Sequence, residues 1–393
     1  MESWMTLSSD VLQYHRRVLT SAAVRAGYAH TCRYEEPAAR REIARMTGVV
    51  MSVCGPGRGP NTPTTLIEAL HHPLAQIAPE LFADSTMGSL TVLDGGELSD
   101  DVYAEGCEDI VELLSGGVDP ARRWLPTWAW MHAELVEREA FQQINEGASE
   151  KEYTAHRYFV VKQPAGEERQ LAELFSQAVG MRKSVRYVPI PADQVFRGRF
   201  WWPCPVCQWP MHVDGEQVRC RFPLHNAAYF VRADSAKGRP MLQRRDGGVP
   251  RQPAARSFHR EGLKRSMCVE TAVWRHIVIS GVSEVYLFER LDALRERGVE
   301  VQLWPGKDRY DLLVRVPATG WELRIDVKDY GCAASLADQL RRKPPAARTI
   351  VIPDYRGEAQ RDELAEQLPN LTVLLVSEVL KAVKAEVRRA GRR

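Results

Sequence analysis

The amino-acid sequence predicts a multi-domain α/β protein: a mostly helical N-terminal region, a cysteine-containing middle module and a C-terminal mixed sheet in αβββαβ order. Three observations predict it. The 393 residues exceed the roughly 250 to 300 at which one hydrophobic core stops growing. From Met267 onward, apolar patterns of helix and strand period alternate in regular order. Between residues 204 and 225, three cysteines and a histidine fall in one short stretch. Hydrophobic residues at 44% and charged residues at 26% are ordinary globular values, which excludes wholesale disorder.

Residues 1–145 read as amphipathic helices broken by the turn-forming stretches CGPGRGPNTP and GGELSDD. Gly55 and Gly59 do not make a phosphate loop, because no Lys-Ser/Thr pair follows them. Trp124, Trp128 and Trp130 are able to stack on bases, but tryptophans in a helical region are more often core or interface. This region is the expected place for partner docking. No apolar run approaches the roughly 20 residues of a membrane helix, and MESWMTLSSD lacks the parts of a signal peptide. A cytoplasmic protein is the expectation.

Residues 146–236 form the middle module: YFVVKQ as a strand, a helix from Glu167 to Ala178, the strand-like SVRYVPIP, then WWPCPVCQWPMHVDGEQVRCRFPLHNAAYF. Cys204-x2-Cys207 lets two thiolates face one ion, and a hairpin at Asp214-Gly215 returns Cys220 and His225 to close a tetrahedral shell. Eight cysteines are too sparse for a disulfide scaffold, so a structural Zn2+ is expected, with His212 as a competing fourth ligand. Residues 237–266 read as a basic linker. From Pro240 to Arg265 it carries seven Lys/Arg (Arg244, Arg245, Arg251, Arg256, Arg260, Lys264, Arg265) against Asp246 and Glu261, a composition suited to phosphates.

The domain 267–393 opens with two predicted helices, Met267 to Ile279 and Glu284 to Arg297. Strands GVEVQLW, YDLLVRV and WELRIDVKDY follow, then a helix from Ala333 to Arg342 and the strand RTIVIPDY. A helix from Glu358 to Gln367, the strand LTVLLV and a basic helix close the chain. On WELRIDVKDY, alternation puts Asp326 and Lys328 on the face opposite Leu323, Ile325 and Val327. Asp311 opens the preceding strand, close enough to meet Asp326 across an antiparallel pair. Two carboxylates held together repel unless a cation lies between them, which is how a Mg2+ (or Mn2+) site is built. Lys328 beside them can orient the attacking water and steady the phosphate. Glu284 sits at the end of a buried helix stripe, where an acid needs a partner. Glu289 is the alternative helix acid, and Gln339 a weaker candidate for substrate contact.

With Asp311 as first acid and Asp326-Val327-Lys328 as second element, the segment resembles the PD-(D/E)xK phosphodiesterase superfamily. Tyr310 stands where that motif has proline, and Asp326 where glutamate is more frequent. WWPCPVCQWPM, LWPGKDRYDL and DVKDY together resemble the restriction-endonuclease-fold proteins of prokaryotic PIWI-RE three-gene cassettes. The resemblance implies a restriction-endonuclease-like C-terminal fold and cleavage of invading DNA in bacterial defence. It also implies DNA or an RNA–DNA hybrid as substrate, with a PIWI-like protein and a helicase as partners. The competing expectation is a catalytically silent, zinc-containing nucleic-acid-binding or assembly subunit.

Overall fold

The computed structural model describes residues 9–31, 33–34, 38–83, 86–94, 97–99, 102, 144, 148–178, 187–232, 239–244, 252–330 and 333–391. The chain divides into two compact units, Met1–Glu134 with Tyr330–Ser335 and Leu135–Asp329 with Leu336–Arg393.

The first unit is mainly helical. Helices α1 (Ser9–Thr31) and α2 (Ala39–Cys54) pack together over a core that includes Leu19, Ala23, Met46 and Val50. A buried Arg25–Glu42 ion pair joins them. Gly55, Gly57 and Gly59 all have positive φ, a conformation glycine adopts without steric cost, and they carry the chain to α3 (Pro63–Ala69). A capping box between Thr62 and Thr65, with Pro63 at the first helical position, starts that helix. Trp124, Trp128 and Trp130 lie outside the described residues.

The second unit begins with α4 (Glu150–Lys162), capped by Ser149 and Glu152. Here the structure differs from the expected strand YFVVKQ, which is the C-terminal half of this helix. The capping box nucleates helix, and Tyr153, His156, Arg157, Val160 and Val161 bury one face of it at helical spacing. Two adjacent valines had suggested a strand, but burial outweighs their propensity. Strand β1 (Ala165–Glu167), α5 (Glu168–Ala178) and β2 (Tyr187–Pro189) follow. Strands β3 (His212–Asp214), β4 (Gln217–Arg219), β5 (Ala228–Arg232) and β6 (Met241–Arg244) form an antiparallel meander in sequence order. The segment 237–266 thus contributes β6, and its Arg256–Ser257 pairs with Phe200–Trp201. Its Arg245 and Arg251 lie outside the described residues.

The helix expected from Met267 starts only at Thr271, because β7 (Ser266–Val269) lies between β1 and β2 as the buried centre of a three-stranded sheet. A π-helical turn, Trp274–Ile279, then feeds α6 (Ser280–Asp292). Helix α6 packs on α4 at Gly281, where an added Cβ would meet Val161 Cγ2 at 2.4 Å. Only glycine admits this approach.

The C-terminal sheet has five strands in sequence order: β8 (Glu300–Leu303), β9 (Leu312–Val316), β10 (Trp321–Val327), β11 (Thr349–Ile352) and β12 (Thr372–Leu375). The first three are antiparallel and the last two join in parallel, so the sheet is mixed as expected. Helices α7 (Ala333–Arg342), α8 (Gly357–Gln367) and α9 (Val376–Ala390) supply the crossovers and closing element. Strand β11 is buried along its whole length, as parallel strands between covering elements are. No helix among the described residues is long and apolar enough to cross a membrane.

Candidate functional site

The cysteine cluster assembles from a tight turn and a return strand. Cys204 and Cys207 stand on the Pro203–Pro210 turn, while Cys220 follows β4 and His225 lies in a short helical turn before β5. All four side chains are buried, and their ligand atoms lie within 4.8 Å of one another. Cys207 and Cys220 Sγ are 3.9 Å apart, and His225 Nδ1 is 3.3 Å from Cys220 Sγ and 3.6 Å from Cys204 Sγ. A tetrahedral zinc with Zn–S of about 2.3 Å has sulfur–sulfur edges of about 3.8 Å. The donor set can therefore hold a metal such as zinc. Burial pushes the Cys204 and Cys220 thiols up, so a nearby dication is what would let all the thiols ionise together. The N–H groups of Val206, Phe222 and the Trp274 indole donate to Cys204, Cys220 and Cys207 sulfur respectively. His212 lies elsewhere, 3.2 Å from Asp193 Oδ2.

The second cluster is built on the β9–β10 pair. Leu312 faces Ile325, and continuing that antiparallel register puts Asp311 opposite Asp326. Backbone N–H of Val327 donates to Asp311 Oδ2 at 2.5 Å, and Asp311 N–H donates to Ile325 carbonyl at 3.0 Å. Asp311 is thereby fixed to the strand that carries Asp326 and Lys328. Lys328 Nζ lies 2.9 Å from Asp326 Oδ1. Asp311 is only 5% exposed, and burial, then the Glu284 charge, hold its carboxyl well above the usual range. Burial alone would lower Lys328, yet the carboxylates of Asp311 and Asp326 raise it above its ordinary value.

Glu284 on α6 reaches the same place. It is buried beside Arg157 of α4, whose Nη2 lies 2.9 Å from Glu284 Oε2, and the Trp304 indole N–H donates to that oxygen at 2.5 Å. Burial raises Glu284 to about 7, with Arg157 acting in the opposite direction. Arg157 also pairs with Asp308 at 2.6 Å and covers the Trp304 ring at 4.3 Å. Trp304, Gly306, Lys307 and Asp308 all have positive φ, a costly run for non-glycine residues that swings Asp308 and then Asp311 into position.

The structure thus brings together Glu284, Asp311, Asp326 and Lys328, and adds Arg157 and Asp308. Their four carboxylates stand against two cations, leaving two negative charges when all are ionised. The alternative acid, Glu289, is engaged by Tyr158 and Lys162 at 2.7 Å each. Gln339 is half-buried on α7. Asp329 is held by Arg356 at 2.7 Å and by the Tyr355 hydroxyl. Sequence reasoning missed Arg157 because it stands just before YFVVKQ, which read as strand, so no helical face was drawn through it. Read as helix, an arginine between Tyr153 and Val161 on a buried face itself signals an acidic partner.

Residues 281–391 match the family model described as REase associating with pPIWI_RE. Residues 15–167 match the one described as pPIWI_RE three-gene island domain Y. Comparison with curated proteins and with solved structures finds no match. Glu284, Asp311, Asp326 and Lys328 fall within the first match and Arg157 within the second, and the two matches together take in about two thirds of the chain. The chain thus carries two segments similar to families of the pPIWI-RE three-gene island, the REase-associated one toward its C-terminus and domain Y toward its N-terminus.

Proposed function

We propose that the chain is a metal-dependent endonuclease that hydrolyses DNA phosphodiester bonds in defence against invading DNA. Its C-terminal domain has a restriction-endonuclease-like fold in this reading. The observation that carries it is the buried Asp311 carboxylate, fixed opposite Asp326 with Lys328 alongside. Burying an acid among acids is unfavourable, and the two negative charges left when all of them ionise would be balanced by one divalent cation. Asp311 and Asp326 would hold Mg2+ or Mn2+. Such an ion supplies Lewis-acid polarisation of the scissile phosphate and a more acidic bound water. Lys328 orients the attacking water and offsets charge on the phosphate oxygens. Glu284 completes the acidic wall. The Cys204, Cys207, Cys220 and His225 shell holds a structural Zn2+ that contributes folding energy. Arg260, Lys264 and Arg265 near the domain's entry supply phosphate contacts without sequence information.

The test incubates purified protein with plasmid, single-stranded DNA, RNA and RNA–DNA hybrid, with and without Mg2+ or Mn2+. Metal-dependent cutting of DNA or hybrid is expected, with Asp326→Ala and Lys328→Ala folded but inactive. Full cleavage by both variants would refute the assignment. Binding to nucleic acid without cutting would favour the silent assembly subunit instead.

A further inference from the structure

The nuclease-like residues sit in the C-terminal family match, but the cluster is not closed by that segment alone. Arg157, contributed by α4, reaches across to touch both acids that lie behind Asp311. One arm is shared by the Glu284 oxygens, at 2.9 and 3.2 Å. The other meets Asp308 at 2.6 Å and the Tyr153 hydroxyl at 3.3 Å. The guanidinium also lies over Trp304, which in turn donates to Glu284. Gly281, one turn before Glu284, permits the close passage of α6 over Val161, one turn after Arg157. A buried guanidinium without these acids would be very costly, and the acids without it equally so.

We infer that Arg157 is a positioning residue of the nuclease site, supplied by the domain-Y segment and acting through Glu284 and Asp308 rather than by touching substrate. The inference rests on the nuclease reading above. It means that the REase segment depends on α4 for a correctly set acidic wall. Lysine at this place keeps the charge but has no second arm to span Glu284 and Asp308.

The test uses the full chain as Arg157→Met, Arg157→Lys, Glu284→Gln and the double variant Arg157→Met/Glu284→Gln. Two properties are read: Mg2+-dependent cleavage rate at saturating DNA, and the indole N–H resonance of Trp304, assigned by its loss in Trp304→Phe. Arg157→Met should slow cleavage at least tenfold, with Arg157→Lys in between. The double variant should be no slower than Glu284→Gln by more than about threefold, because both changes act on one element. The Trp304 resonance should move in Arg157→Met and in Glu284→Gln, and the double variant should match Glu284→Gln. Should Arg157→Met fail to fold, Arg157→Lys and the double variant, which removes both charges, decide the question. Multiplying rate losses in the double variant, or an unmoved Trp304 signal with wild-type cleavage, would overturn the inference. A wild-type chain that never cuts in Mg2+ or Mn2+ sinks the nuclease reading, and this inference with it.

Discussion

Glu284→Gln reads the cost of burying an acid at the proposed site, together with the part of the Asp311 shift that the Glu284 charge causes in the same direction. Burial raises Glu284 from 4.5 to about 7 in the folded chain. Above pH 4.5 the folded state therefore keeps a proton that the unfolded state has released, and stability falls as pH rises toward 7. At about 1.4 kcal/mol for each pH unit, the gap amounts to about 3 kcal/mol. His156 and His276, both buried and held near 4, work in the opposite direction, since their neutral folded forms favour stability as pH rises. They are present in both proteins and cancel in the comparison. Urea unfolding of zinc-loaded, magnesium-free wild type and Glu284→Gln should be followed by tryptophan fluorescence from pH 5 to pH 8. The wild type should lose about 2 to 3 kcal/mol relative to the variant across that range, whatever constant offset the broken Arg157 pair introduces. Parallel curves would refute the reasoning, because they would mean that Glu284 stays ionised throughout.

Cys204→Ser should release about one zinc per chain in a stoichiometric metal determination and lower the melting temperature of the second unit, whereas unchanged metal content would refute the site. Gly281→Ala forces a methyl group against Val161 and should cost about 1 to 3 kcal/mol in thermal unfolding. An unaltered melting temperature would show that the α4–α6 approach relaxes freely. Adding Mg2+ at pH 8 should raise the melting temperature of wild type but not of Asp311→Asn, because only the former keeps both carboxylates of the pair.

Much of the C-terminal sheet was legible because β10 alternates along its length and its antiparallel register with β9 places residues opposite one another. Leu312, Val314 and Ile325 declare the buried face, which leaves Asp311, Asp326 and Lys328 to meet on the other. The Cys-x2-Cys turn was equally plain, since ligand spacing is local. His225 could be told from His212 only in three dimensions, where Asp193 takes the latter. Long-range partners were hidden. Arg157 stands 127 residues from Glu284, and no local pattern links them. The valines of YFVVKQ and the short strand at Met267 misled for one reason: packing against β1, β2 and α6 decides their state, not intrinsic preference.

The most direct measurement is a calorimetric titration of Mn2+ into the zinc-loaded wild-type chain and into Asp311→Asn at pH 7.5. Wild type should take up one Mn2+ per chain beyond its zinc, and Asp311→Asn should show no such uptake. Wild type that binds no Mn2+, or Asp311→Asn that binds it as well as wild type, would contradict the claim that these carboxylates are gathered around a divalent cation.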